Sequence, residues 1–124
     1  MKNDKVKFKI EFKKRLYQFV LDLIRFIDKL ERKDSVCRVI IDQLLRSGTS
    51  ILSNYVEAQA GSSKRDFTNF IHISLKSANE SKVWLALLRD SGRAKAADAN
   101  RLLGELTEIA NILASSLLTL KGRK

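Results

Sequence analysis

Apolar residues recur along this chain at intervals of three and four, in four stretches each long enough to form a helix. In the first, Phe12, Leu16, Phe19, Val20, Leu23, Ile27 and Leu30 share one face of a helix predicted over about residues 11–32. The second, over about 35–60, carries Cys37, Ile40, Ile41, Leu44, Gly48, Ile51 and Tyr55 in line. Gly61-Ser62-Ser63 then breaks the chain, and Ser63 with Asp66 three residues on has the form of a helix N-cap. The third helix, over about 64–90, presents Phe67, Phe70, Ile71, Ser74, Ala78, Ser81, Leu85 and Leu88, and Ser91-Gly92 ends it. The fourth, over about 96–121, presents Leu102, Leu103, Leu106, Ile109, Ala110, Leu113, Leu117 and Leu120.

Connections of a few residues force successive long helices to run antiparallel. The expectation is therefore an all-α, up-down four-helix bundle in a single domain over residues 1–124. The opening is different. Lys5-Val6-Lys7-Phe8-Lys9-Ile10 alternates like a strand, yet no partner strand exists. Residues 1–10 are read as a flexible basic arm, with an N-terminal extension of the first helix as the alternative.

Composition supports helix. The chain has no proline and five glycines, and it is 44% apolar and 31% charged, which is the balance of a folded domain. Cys37 has no second cysteine to pair with, the first residues lack a signal-peptide pattern, and no apolar run approaches bilayer length. A cytoplasmic protein without a membrane partner is expected. The formal net charge of +10 adds a preference for polyanions. Residues 1–32 hold ten basic and five acidic side chains, and residues 64–95 hold seven and three, so the excess sits in two segments.

Catalytic chemistry finds little to work with. His72 stands alone, at a helical angle that points it to solvent, and no metal-ligand spacing surrounds it. There is no phosphate-binding glycine loop, dinucleotide fingerprint or nucleophile elbow. The expectation is no enzyme, no catalytic residues, no metal and no cofactor.

Surface patterns say more. Beside the core stripe of the third helix, Ile73, Ser77, Glu80, Trp84 and Leu87 form a second stripe that suits a subunit interface, or else a broad core arc filled by Trp84. Leu45, Leu52 and Val56 adjoin the main stripe of the second helix, and Arg46, Ser50, Ser53 and Glu57, with Gln43 and Asn54, make a polar ridge on it. Polarity alone reads that ridge as a solvated face. Lys14, Arg25, Lys29 and Arg32 line the back of the first helix. Lys64, Lys82 and Arg89 line one flank of the third, with Arg65 and Lys76 on its back. Separated cations of this kind suit phosphates and make no demand on base identity. With most aromatic residues at core positions, no platform for stacking bases is expected.

The run Gln43-Leu44-Leu45-Arg46-Ser47-Gly48-Thr49-Ser50-Ile51-Leu52-Ser53-Asn54-Tyr55-Val56-Glu57-Ala58 resembles a signature of the ribosomal intervening-sequence proteins, which are encoded within insertions of bacterial 23S rRNA genes. Asp66-Phe67, Ser74-Leu75-Lys76-Ser77-Ala78-Asn79-Glu80-Ser81 and Trp84-Leu85 add to the resemblance, which covers about residues 8–120. A related branch comprises the accessory variability determinants of diversity-generating retroelements. The resemblance implies four-helix bundles joined as cyclic homopentamers with a basic surface, no catalytic activity, and structured nucleic acid or a reverse transcriptase as partner. It also marks Gln43, Arg46, Ser50, Asn54, Glu57, Ser77, Glu80 and Trp84 as motif residues fixing helix packing or subunit contacts. Arg46 and Glu57 are each expected to pair across a helix or subunit boundary, with Glu80 a candidate acceptor for Arg46. Many relatives place glycine directly after the glutamate, and Ala58-Gln59-Ala60-Gly61 departs from this, so the second helix is free to run a turn longer. The expected function is a basic homo-oligomer binding structured RNA or DNA through its phosphates. The alternative is a protein-interaction adaptor, such as an accessory partner of a reverse transcriptase.

Overall fold

The computed structural model describes residues 2–32 and 34–122, and the side chains of 3–32 and 34–120. The described residues form four helices: α1 (Lys2–Asp28), α2 (Ser35–Gln59), α3 (Lys64–Asp90) and α4 (Ala96–Gly122). Each packs on the next and α4 closes back on α1, while the backbones of the diagonal pairs α1/α3 and α2/α4 make no close approach among the described residues. Hydrogen bonds between Ser47 and Ser81 and between Ser74 and Ile51 show α2 and α3 running antiparallel. The centre is filled by the expected stripes, with Leu16, Phe19, Leu23, Leu44, Ile51, Leu85, Leu88, Leu106, Ile109 and Leu113 fully buried.

The helix ends follow local chemistry. Asp34 caps α2, its Oδ1 accepting from the Cys37 backbone N–H at 2.7 Å. That bond, with Arg93 nearby, holds the Asp34 carboxyl below the usual carboxylate range. Its contribution to stability is present at neutral pH and is lost only as pH falls through the lowered value. Ser63 caps α3, its Oγ accepting from Asp66 N at 3.0 Å. Beyond α3, Gly92 takes φ +79°, which returns the Arg93 N–H to Leu88 O at 2.9 Å.

Residues 2–10, read as an arm, are helical: α1 begins at Lys2. Lysine is a good helix former, Asp4 sits in the first turn where the helix dipole favours it, and Phe8 stacks on Phe12 one turn along (centroids 5.8 Å apart). Met1 lies outside the described residues. At its other end α1 stops at Asp28 instead of 32, and the chain leaves through tighter Lys29 N–Phe26 O and Leu30 N–Ile27 O bonds. α2 runs past Glu57 to Gln59, within one residue of the expected end.

The four contacts between neighbouring helices differ in character. α2 and α3 make the most extensive one and α1 and α4 the least. Small residues explain the first. Ser47, Ser74, Ser77 and Ser81 are buried in the α2–α3 seam, and every one of their hydroxyls is bonded. Gly48 faces α1 instead, where a Cβ would collide with Leu23 Cδ2.

Candidate nucleic-acid and subunit surfaces

The two basic segments fold onto diagonal helices. α1 and α3 stand at opposite corners of the bundle, so Lys14, Arg25, Lys29 and Arg32 are separated from Lys64, Lys82 and Arg89 by α4. Between them α4 exposes Asn100, Gly104, Thr107 and Glu108, while its exposed Arg101 lies beside Arg25 and Lys29 on the α1 side. One subunit therefore offers two strips, not one patch.

Within the strips the cations are unequal. Lys14, Lys29, Lys64, Arg65 and Lys76 are exposed and make no ion pair among the described residues. Arg25 reaches Asp22 at 3.4 Å and Arg32 reaches Asp28 at 4.0 Å. Arg25 and Lys29 also line a groove of about 380 Å³ with Arg101, but Asp22, Asp28 and Asp98 line it too, so its field is nearly balanced. Arg89 is held by both oxygens of Asp90 and donates to Asn100 of α4 at 2.8 Å, and Lys82 is half-buried. The Asp90 carboxylate raises the Arg89 guanidinium above its ordinary value and is itself lowered. Arg89 thus ties α3 to α4, and its charge is already matched.

The densest free charge lies where an arm was expected. Lys5, Lys7, Lys9, Lys13 and Lys14 are all exposed along the first half of α1. At a rise of about 1.5 Å per residue they span roughly 14 Å. Only helix formation turns this stretch into a rigid basic rod. His72, placed in solvent by its helical angle, is half-buried, because α3 is hemmed in by α2 on one side and α4 on the other.

The motif residues converge on the outer groove between α2 and α3. Ser50 and Ser77 form its floor, Ser77 Oγ donating to Ser50 Oγ at 2.8 Å, and Asn54 Nδ2 donates to the same Ser50 Oγ at 2.8 Å and to Ser50 O at 2.9 Å. Around that floor Ile73 and Leu87 are more than two-fifths exposed, and Trp84 and Gln43 are half-buried. Trp84 Nε1 donates to Glu80 at 3.1 Å, so Glu80 serves its own helix and takes no bond from Arg46. Helical geometry accounts for this: Trp84 lies one turn from Glu80. Arg46 and Glu57 are exposed and have no side-chain partner among the described residues. The groove is thus an apolar and polar mixture with two unmatched charges of opposite sign.

One constellation escaped sequence reasoning. Arg15 of α1 holds Glu105 with both ends of its guanidinium, at 2.6 and 2.8 Å, and bonds Glu108 at 2.5 Å. These carboxylates raise Arg15 well above its ordinary value. The triad clamps α1 to α4 where the two helices meet least. The spacing of Glu105 and Glu108, one turn apart on one face, was the available signal, but nothing in it named Arg15.

Among the described residues no group of His, Cys, Asp and Glu could hold a metal, and no helix is long and apolar enough to cross a membrane. No curated protein matches the chain. Its fold is similar to the crystal structure of a protein of unknown function from the S23 ribosomal protein family of Bacteroides thetaiotaomicron VPI-5482. That match has 33% sequence identity and a TM-score of 0.79, and covers 86% of this chain and 97% of the other. The family described as 23S rRNA-intervening sequence protein matches residues 9–115. The chain belongs to the 23S rRNA-intervening sequence protein family.

Proposed function

We propose that this chain is a non-enzymatic, cytoplasmic homo-oligomer that binds structured RNA or DNA through the phosphate backbone. The observation that carries the reading is the set of exposed lysines around the first half of α1, unpaired among the described residues, on a chain of net charge +10. A rigid helix holds these cations at fixed spacing, so phosphate contacts cost little ordering. The family's description, which names 23S rRNA, agrees with a nucleic-acid partner. Affinity for an RNA hairpin or duplex DNA is expected to fall with salt at a log–log slope of about −0.9 per phosphate neutralised on B-DNA. Lys14→Ala should flatten the slope by about one unit, and Arg25→Ala by less, because Arg25 already faces Asp22. A slope near zero, or no binding at low salt, overturns the reading.

The second half of the proposal is assembly as a ring, five subunits being the number that the family resemblance implies. The α2–α3 outer groove supports it, since Ile73, Trp84 and Leu87 offer apolar area and Arg46 and Glu57 await partners. Light scattering is expected to give a multiple of the 14.1 kDa chain mass, reduced in Trp84→Ala. A mass of one chain at micromolar concentration rejects the ring. The same groove favours one other reading, an adaptor that docks a second protein such as a reverse transcriptase. In that case binding to the partner depends little on salt, and Trp84→Ala weakens it while Lys14→Ala does not.

A further inference from the structure

The core-facing stripe of α1 changes character at its N-terminal end. Counting back from Phe12 by three and four, the next positions are Lys9 and Phe8, and then Lys5, so lysines stand beside Phe8 where the helix would otherwise carry only core residues. α2 stops at Gln59, so this end of the bundle also lacks part of a wall. The result is an open cleft of about 720 Å³ between the start of α1 and the end of α4, within the range of ligand sites.

Its surfaces are specific. Phe8 packs nearly parallel on Phe12 (interplanar angle 7°) and is still 49% exposed, which leaves its other face open. Tyr55, set edge-on against Phe12, and Phe67 continue the apolar wall. Burial pushes the Tyr55 hydroxyl up to about 12, so it stays neutral at physiological pH. The Gln59 and Asn111 amides open onto the same space and make no side-chain hydrogen bond among the described residues. Each offers a donor and an acceptor side by side. Lys5 and Lys9 stand at the edge, with Asp4 beside them.

We infer that this cleft binds a single unpaired nucleotide of a folded RNA or DNA strand, with the base stacked on the open face of Phe8 and the phosphate held by Lys5 and Lys9. Aromatic faces, free amides and adjacent lysines are together the means by which proteins hold splayed bases. An acyl chain would cover the apolar wall but leave the amides unmatched. The inference deepens the nucleic-acid reading and rests on it, because the basic rod of α1 delivers the strand to its own end. It departs from the expectation that no stacking platform exists, because helix formation sets the exposed Phe8 at the cleft.

The test uses two hairpins of one sequence, with 2-aminopurine in the loop of one and in the stem of the other. Anisotropy is expected to report binding of both at low salt. Emission should fall on binding only for the loop probe, as stacking quenches it. Phe8→Leu keeps the apolar packing on Phe12 and removes the stacking face, and it should abolish the quench and weaken loop-hairpin binding roughly tenfold. Lys14→Ala, outside the cleft, should weaken binding of both hairpins yet retain the quench. Binding without any change in loop emission, or a quench that survives Phe8→Leu, overturns the cleft and leaves the phosphate surface standing. Absence of binding by either hairpin at low salt overturns both.

Discussion

Ser81→Leu is expected to destabilise the bundle by about 3 kcal/mol, near the upper end of what overpacking a core costs. Ser81 is fully buried and sits where α2 and α3 make their most extensive contact. Its Oγ donates to Ser77 O at 2.9 Å, so its single proton is used and Ser47 Oγ, 2.7 Å away, must donate to it. Leucine adds bulk where Ser47 stands opposite, and the helices can admit it only by moving apart. Separation would also stretch the Ser74 bond to Ile51 O and the Ser77 bond to Ser50. Thermal unfolding should shift down by roughly 10–15 °C for a domain of this size. Ser81→Ala separates volume from hydrogen bonding. It keeps the seam narrow, and Ser47 can turn to Leu44 O at 3.3 Å, so the loss should stay near 1 kcal/mol. Equal melting temperatures for the leucine and alanine variants would show that small residues do not set this contact.

Arg15→Glu is the second large effect, about 2 kcal/mol at low ionic strength once partial exposure is discounted. The change removes the two bonds to Glu105 and the one to Glu108, and places a third carboxylate among them. Arg15 and Glu105 are each one-third exposed and Glu108 two-thirds, so solvent softens both the attraction and the repulsion. α1 and α4 also share the apolar core, so the change acts on the charged edge of their contact and leaves its packing in place. Much of the penalty is repulsion, and it should fall by about half in 1 M salt, where the screening length is about 3 Å. Arg15→Gln, which adds no charge, should cost roughly half as much and respond less to salt. Arg15→Lys should recover only part of the stability, because an ammonium cannot grip one carboxylate with two parallel donors. A penalty for Arg15→Glu that is indifferent to salt would mean that the loss comes from packing of the arginine stem.

The family resemblance placed the chain correctly because its motif is local: the helix-two run and the spaced helix-three residues are contiguous or one turn apart. The same residues looked ambiguous on a helical wheel. Ser50 and Asn54 read as part of a solvated ridge, and Ser77 as part of an extra stripe, while in the fold they meet across one groove and bond to each other. Angle around one helix does not reveal which neighbour stands at that angle.

What the sequence by itself determined is the set of four helices, the face each one buries, and the turns at Ser63 and Gly92. Those features depend on periodicity within a few turns and on single residues whose backbone preferences are intrinsic. Only the tertiary structure decided the pairings: Arg15 with Glu105 ninety positions away, serine against serine in the α2–α3 seam, and Arg89 with Asn100. It also divided the basic charge into two strips on diagonal helices, and continued α1 to Lys2, which makes a rod of the supposed arm and leaves Lys5, Phe8 and Lys9 over an open cleft. The physical reason is range. Helix propensity and amphipathic spacing act along the chain, whereas a salt bridge, a close seam or a cleft exists only where separate helices bring their faces together.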